Sequence, residues 1–107
     1  MQNDKLTVIT KLKAKEGGET QLRDLLLEMA DFSRKTIGNI NYHVYCSTED
    51  RSVFFVYENW TDFQAIDEYH KLPFVGEMMK QIQPLLAEPE DINPLKTVSK
   101  DPEEVES

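Results

Sequence analysis

Two runs of β-branched and aromatic residues, 40–47 and 52–60, flank four polar residues, Thr48, Glu49, Asp50 and Arg51. That pattern predicts a β-hairpin. If the four-residue loop carries no bulge, Tyr45 stands opposite Phe54, His43 opposite Val56 and Asn41 opposite Glu58. The other face then collects Ile40, Tyr42, Val44 and Cys46 with Val53, Phe55 and Tyr57. Both faces are substantially apolar, whereas a sheet with one wet side shows clean polar alternation on that side. Whatever this chain folds into must cover a sheet on both sides.

The remaining elements supply cover for one side only. LTVITKLK alternates Leu6, Val8, Thr10 and Leu12 against Thr7, Ile9, Lys11 and Lys13, which predicts a strand ended by Gly17 and Gly18. Over residues 19–37, Leu22, Leu25, Leu26, Met29, Phe32 and Ser33 fall on one helical stripe, with Gly38 and Asn39 as its stop. Thr61 followed by Gln64 has the form of a capping box for a second helix through Phe63, Ile66 and Tyr69. Pro73 restarts the helix in a new direction, and Phe74, Met78, Ile82 and Leu85 continue its stripe, with Pro84 expected to end or kink the last turn. A short strand is expected within residues 92–98.

The order β-α-β-β-α-β predicts an α+β, ferredoxin-like domain: a four-stranded antiparallel sheet with the helices on one face. The uncovered face then predicts a homodimer packed sheet to sheet, a dimeric α+β barrel, because large exposed apolar patches mark association. The set containing Asn41, His43, Tyr45, Glu58 and Trp60 is placed against the helices, where its polar groups would line a cavity. The wholly apolar set suits a dry seam between subunits. A single bulge in the hairpin reverses that choice, since a one-residue slip turns every side chain over.

Composition excludes several classes. The 107 residues carry a formal net charge of −8, against the basic patches that nucleic acid requires. Residues 88–107 hold seven acids and two lysines, so most of the acidity belongs to the C-terminal tail. No segment is long and apolar enough for a membrane span and none resembles a signal peptide, so a cytoplasmic location is expected. Cys46 is the sole cysteine and His43 and His70 the only imidazoles. A disulfide within the chain and a thiolate zinc site are thereby excluded, and no metal site is expected.

The first strand with its following helix, then GNINYHVYCSTEDRSVFFVYENW, then a helix containing LPF, resembles the antibiotic biosynthesis monooxygenase family of small dimeric α+β barrels. The resemblance covers about residues 5–98. Its most specific piece is YENW, Tyr57 to Trp60, and Gly38 and Tyr42 match the glycine and aromatic that open the family's second strand. It implies one domain over 1–98, followed by an acidic tail over 99–107. It also implies a cavity between sheet and helices. Some members oxygenate electron-rich aromatics with molecular oxygen and neither metal nor flavin; others degrade haem, isomerise small sugars or have no known activity. Where many members carry histidines around the proline of the second helical segment, this chain has Tyr69 and Phe74, with His70 one residue further along.

Oxygenation without a cofactor is chemically accessible when the deprotonated substrate is itself the electron donor. The protein then supplies an aromatic slot, a base and a stabiliser of developing charge. The expected catalytic set is His43, Glu58 and Trp60: His43 as base because imidazole titrates near neutrality, Glu58 as its orienter or as a base raised by burial, and Trp60 as a slot wall. Asn41, Tyr45, Tyr69 and His70 are expected to bind substrate. Against each stands a plain structural role, such as a core plug for Trp60, a cross-strand pair with Phe54 for Tyr45 and a solvated helix position for His70. The function this supports is a cofactor-independent monooxygenase of a small quinol-like aromatic. The alternatives are a ligand-binding or stress-associated dimer without turnover, and a haem-degrading monooxygenase.

Overall fold

A computed structural model describes residues 5–99. Strand β1 (Leu6–Lys13) leads into helix α1 (Glu19–Arg34). The hairpin β2 (Asn39–Cys46) and β3 (Val53–Trp60) follows, then helices α2 (Phe63–His70) and α3 (Pro73–Ile82), a 3-10 turn (Gln83–Leu85) and strand β4 (Asp91–Leu95). The strands form one antiparallel sheet in the order β2-β3-β1-β4. The helices cover one face of it, giving the expected α+β, ferredoxin-like arrangement. No helix among the described residues is long and apolar enough to cross a membrane. The acidic tail falls, from Lys100 onward, outside the described residues.

The core lies between sheet and helices. α1 contributes Leu22, Leu25, Leu26, Met29 and Ala30, α3 contributes Val75, Met78 and Ile82, and the sheet contributes Val8, Leu12, Phe54, Val56 and Trp60. Phe32, on the expected α1 stripe, is half-buried and stacks on Phe74 at 4.3 Å between ring centres. α1 ends at Arg34, three residues short of the expected boundary, and its guanidinium donates twice to the carbonyl of Tyr42, at 2.7 and 3.0 Å, fastening α1 to β2.

Two local details differ from the sequence expectation. The cap of α2 is Asp62, whose carboxylate accepts from the N–H of Ala65 at 2.8 Å, one residue past the Thr61 expected for a capping box. Just before β2, Gly38 adopts φ +91°, and a side chain there would collide with the Cβ of Ala65. Only glycine meets both demands, and the contact sets α2 down on the start of the hairpin.

The hairpin register carries the larger correction. Its loop holds five residues, not four, because Ser47 N–H bonds the carbonyl of Val53 at 2.9 Å and Ser52 joins the turn through Asp50. His43 therefore faces Tyr57, Val44 faces Val56, and Tyr42 faces Glu58. A bulge between Asn39 and Asn41 adds a further irregularity at the other end of β2. One added residue leaves β3 as expected and turns β2 over. Glu58 and Trp60 point towards the helices, and Asn41, His43 and Tyr45 lie on the opposite face.

Candidate functional site

Between the sheet and the helices lies a cavity of about 530 Å³. Val8, Thr10, Tyr42, Val56 and Glu58 form its floor, and Leu26, Met29, Ile66, Tyr69 and Met79 its roof. Phe63, Asp67, His70 and Gly76 line it while remaining exposed to solvent, which places the mouth where α2 and α3 meet the edge strand β4. Ile92 and Pro94 of β4 rim that mouth, both exposed, and Pro94 is tolerated there because the outer edge of β4 needs no ladder donor.

Glu58 is the chemically distinctive group. Its residue is only 9 % exposed, and the indole N–H of Trp60 donates to Oε1 at 2.8 Å. Burial pushes the carboxyl up to about 7, the indole hydrogen bond offsetting part of that rise. Oε2 has no protein partner, yet no buried side-chain oxygen among the described residues is orphaned, so Oε2 opens onto the cavity. Thr10, 8 % exposed, likewise presents a hydroxyl without a hydrogen-bond partner among the described residues. On β1, Val8 stands directly opposite Glu58 and Thr10 lies on the next inward rung.

Beside Glu58, two phenols are held protonated. Tyr42 is its direct neighbour across the sheet, and its hydroxyl is raised well above its ordinary value by burial and then by the neighbouring Tyr69 and Glu58. Tyr69 is pushed up to about 12 by burial, in spite of a 2.6 Å hydrogen bond shared with Ser33 Oγ. His70, at the mouth, has its pKa lowered by partial burial, against the opposing pull of Asp67. The arrangement offers a carboxyl that exchanges its proton near neutrality, next to two phenols that stay protonated and are hydrogen-bonded to each other and to Ser33.

The structure brings Glu58, Tyr69 and His70 to this cavity. Trp60 is fully buried behind Glu58 and packs on Tyr69 at 4.7 Å, holding the carboxylate in place rather than forming a wall. Asn41, His43 and Tyr45 are on the far side of the sheet: Asn41 accepts from Asn59 at 2.9 Å, and His43 lies beside Tyr45 and Tyr57. Their expected place at the cavity is corrected by the five-residue loop. Sequence reasoning overlooked Thr10, Tyr42 and Glu90 as lining groups. Thr10 was legible as a polar residue on the buried stripe of β1. Tyr42 follows from the correct register, while Glu90, in the irregular segment before β4, had no local signal. Among the described residues no group of three or more His, Cys, Asp or Glu side chains converges as metal ligands.

Residues 5–81 match the family described as antibiotic biosynthesis monooxygenase. The chain is similar in structure to Rv0793 from Mycobacterium tuberculosis, with a TM-score of 0.84 at 23 % identity over 90 % of this chain and 97 % of that one. PA3566 from Pseudomonas aeruginosa gives 0.83 at 22 % identity over 90 % and 96 %. SnoaB from Streptomyces nogalater, described as a cofactor-independent oxygenase, gives 0.83 at 14 % identity over 94 % and 99 %. No curated protein sequence matches the chain.

Proposed function

The chain belongs to the antibiotic biosynthesis monooxygenase family, and from that premise we propose that it oxygenates a small electron-rich aromatic, a quinol or related phenol, with molecular oxygen and no cofactor. The observation that carries this reading is a carboxyl raised to about 7 inside an otherwise apolar cavity. A structural carboxylate gains nothing from such a place, because desolvation penalises its charge. A general base works best with a pKa close to the working pH.

The reaction balances without an external reductant. Glu58 removes the phenolic proton, and the resulting phenolate passes one electron to oxygen held in the apolar cavity. Recombination forms a carbon–oxygen bond on the ring, and the hydroperoxide so formed loses water as the proton returns from Glu58. Hydroquinone plus oxygen gives hydroxyquinone plus water, so the substrate gives up four electrons and keeps one oxygen atom. The hydroxyls of Tyr42 and Tyr69, held protonated and joined to each other and to Ser33, place uncharged dipoles beside the site where charge develops on oxygen. Trp60 keeps Oε1 engaged, leaving Oε2 for the substrate. That SnoaB is described as a cofactor-independent oxygenase supports the same chemistry.

The active unit in this proposal is a homodimer joined through the outer sheet face, where Ile9, Phe55 and Tyr57 are half-buried and Tyr45 and Leu95 are 53 % and 43 % exposed. Purified protein should consume oxygen with a panel of hydroquinones and anthrones, in the presence of a chelator, above the rate in buffer. An absence of uptake across the panel, with binding detected by thermal stabilisation, would replace the oxygenase reading with that of a ligand-binding protein. Sedimentation as a lone 12.4 kDa particle at micromolar concentration would overturn the dimer.

A further inference from the structure

Three carboxylates line or rim the cavity, Glu58 on the floor, Glu90 beside β4 and Asp67 at the mouth, and no lysine or arginine lines it. Asp67 is paired with Lys71 at 3.3 Å on the surface of α2 and contributes little net field. Glu58 and Glu90 have no such cation. Apart from its place on the cavity wall, where its charge helps to raise the Tyr42 hydroxyl, Glu90 accepts one side-chain hydrogen bond, from the neutral amide of Gln83 to Oε2 at 3.4 Å. Burial raises the pKa of both carboxyls, as expected when no positive charge repays the loss of water. His70 adds no compensating charge, its pKa being lowered.

The two carboxyls reach the cavity from opposite sides of β1, Glu58 from β3 and Glu90 from the start of β4. Glu58 sits opposite Val8, whereas Glu90 immediately precedes Asp91, which pairs with Lys11, three residues further along β1. Between them Thr10 presents its unpartnered hydroxyl from a buried position, and Val56, Ile92 and Met79 supply apolar surface. A ligand spanning this floor would meet a proton acceptor at one side, an apolar midsection and a carboxylate without a cation at the other.

We propose that the cavity selects an aromatic carrying a protonated amine, its phenolic hydroxyl on Glu58 and its ammonium on Glu90, and discriminates against aromatic carboxylates. This deepens the reading of the cavity as an aromatic site and rests on it, but concerns binding and not turnover. An ammonium supplies the positive charge that both carboxyls lack, whereas a ligand carboxylate would add a third like charge in a poorly solvated space.

Isothermal titration calorimetry of the full chain at about pH 8, where both an amine and a carboxylate ligand are charged, tests the ranking with three probes of one shape: tyramine, para-ethylphenol and para-hydroxyphenylpropanoate. Tyramine should bind about tenfold tighter than the neutral phenol, and the carboxylate weaker than both. In Glu90→Gln the advantage of tyramine over para-ethylphenol should fall towards unity, with far-UV circular dichroism confirming the fold. Equal binding of tyramine and para-ethylphenol, or tighter binding of the carboxylate, overturns the charge selection while leaving an aromatic site intact. Failure of all three probes to bind overturns the proposal together with the aromatic site on which it rests. Oxygen uptake, measured separately, reports on turnover alone, so the two readings fail by different signs. Should Glu90→Gln not fold, the ranking in the natural protein decides the matter by itself.

Discussion

The two faces of the sheet are built from alternate residues of the same strands, yet they treat polar groups in opposite ways. On the outer face Asn59, only 1 % exposed, accepts from the hydroxyl of Thr7 at 2.5 Å and donates to Asn41 at 2.9 Å, so its buried polar atoms are spent on neighbours in the sheet. On the inner face Glu58 keeps one carboxylate oxygen uncommitted and Thr10 keeps its hydroxyl free, both beneath a hollow of about 530 Å³. Satisfied polar groups specify structure; buried ones with spare valence mark where a ligand completes the set.

The largest effect should come from Glu58→Gln, which keeps the shape and the Trp60 contact but removes the base. Oxygen uptake should fall at least about a hundredfold, and the rise of kcat/KM with pH, centred near 7 in the natural protein, should disappear. The sign of the stability effect is opposite. The folded-state carboxyl, at about 7, lies above its ordinary value of 4.5, so the unfolded chain gives up its proton first and stability is lost as pH rises through that window. Thermal melts should show the variant spared a loss of up to about 3 kcal/mol between those pH values. A variant that loses activity and stability together at pH 8 would make Glu58 an ordinary structural residue and erase the contrast between the faces.

On the other side, Asn59→Ala strands the hydroxyl of Thr7 and the amide of Asn41. Chemical denaturation should register a loss of about 1–2 kcal/mol, with the pH midpoint of turnover unmoved. A shift of that midpoint would couple the outer network to the cavity and weaken the comparison. The smallest effect is expected from His43→Ala. Its ring lies across the sheet from Glu58, among Tyr45 and Tyr57. The pH profile of oxygen uptake should therefore be retained, and its loss would return the imidazole to the chemistry.

Most of the element order was legible because it rests on periodicity. The stripe Leu22, Leu25, Leu26 and Met29 admits one helix face, and the alternation of β1 admits one inward set, Leu6, Val8, Thr10 and Leu12. Pro73 marked the break between α2 and α3 at the residue where the structure has it. The cap of α2 slipped by one residue because Thr61 and Asp62 are both competent caps and only the bond to Ala65 chooses between them. The sidedness of β2 was not legible for a sharper reason. Asn41, His43 and Tyr45 suit a cavity wall as well as Tyr42 and Val44 suit a subunit seam, so polarity favours the wrong face of β2 and only the length of the turn decides it.

By itself, then, the chain determined what depends on neighbours in sequence: a ferredoxin-like order of strands and helices, a sheet apolar on both faces, and a glutamate and a tryptophan on one side of β3. Tertiary structure decided what depends on register and enclosure. The five-residue turn set Tyr42, not His43, beside Glu58, and the closing of α1, α2 and β4 over that carboxylate raised it to about 7. A side chain's orientation within a strand is fixed by counting, but its proton affinity is fixed by how much water the rest of the fold leaves around it.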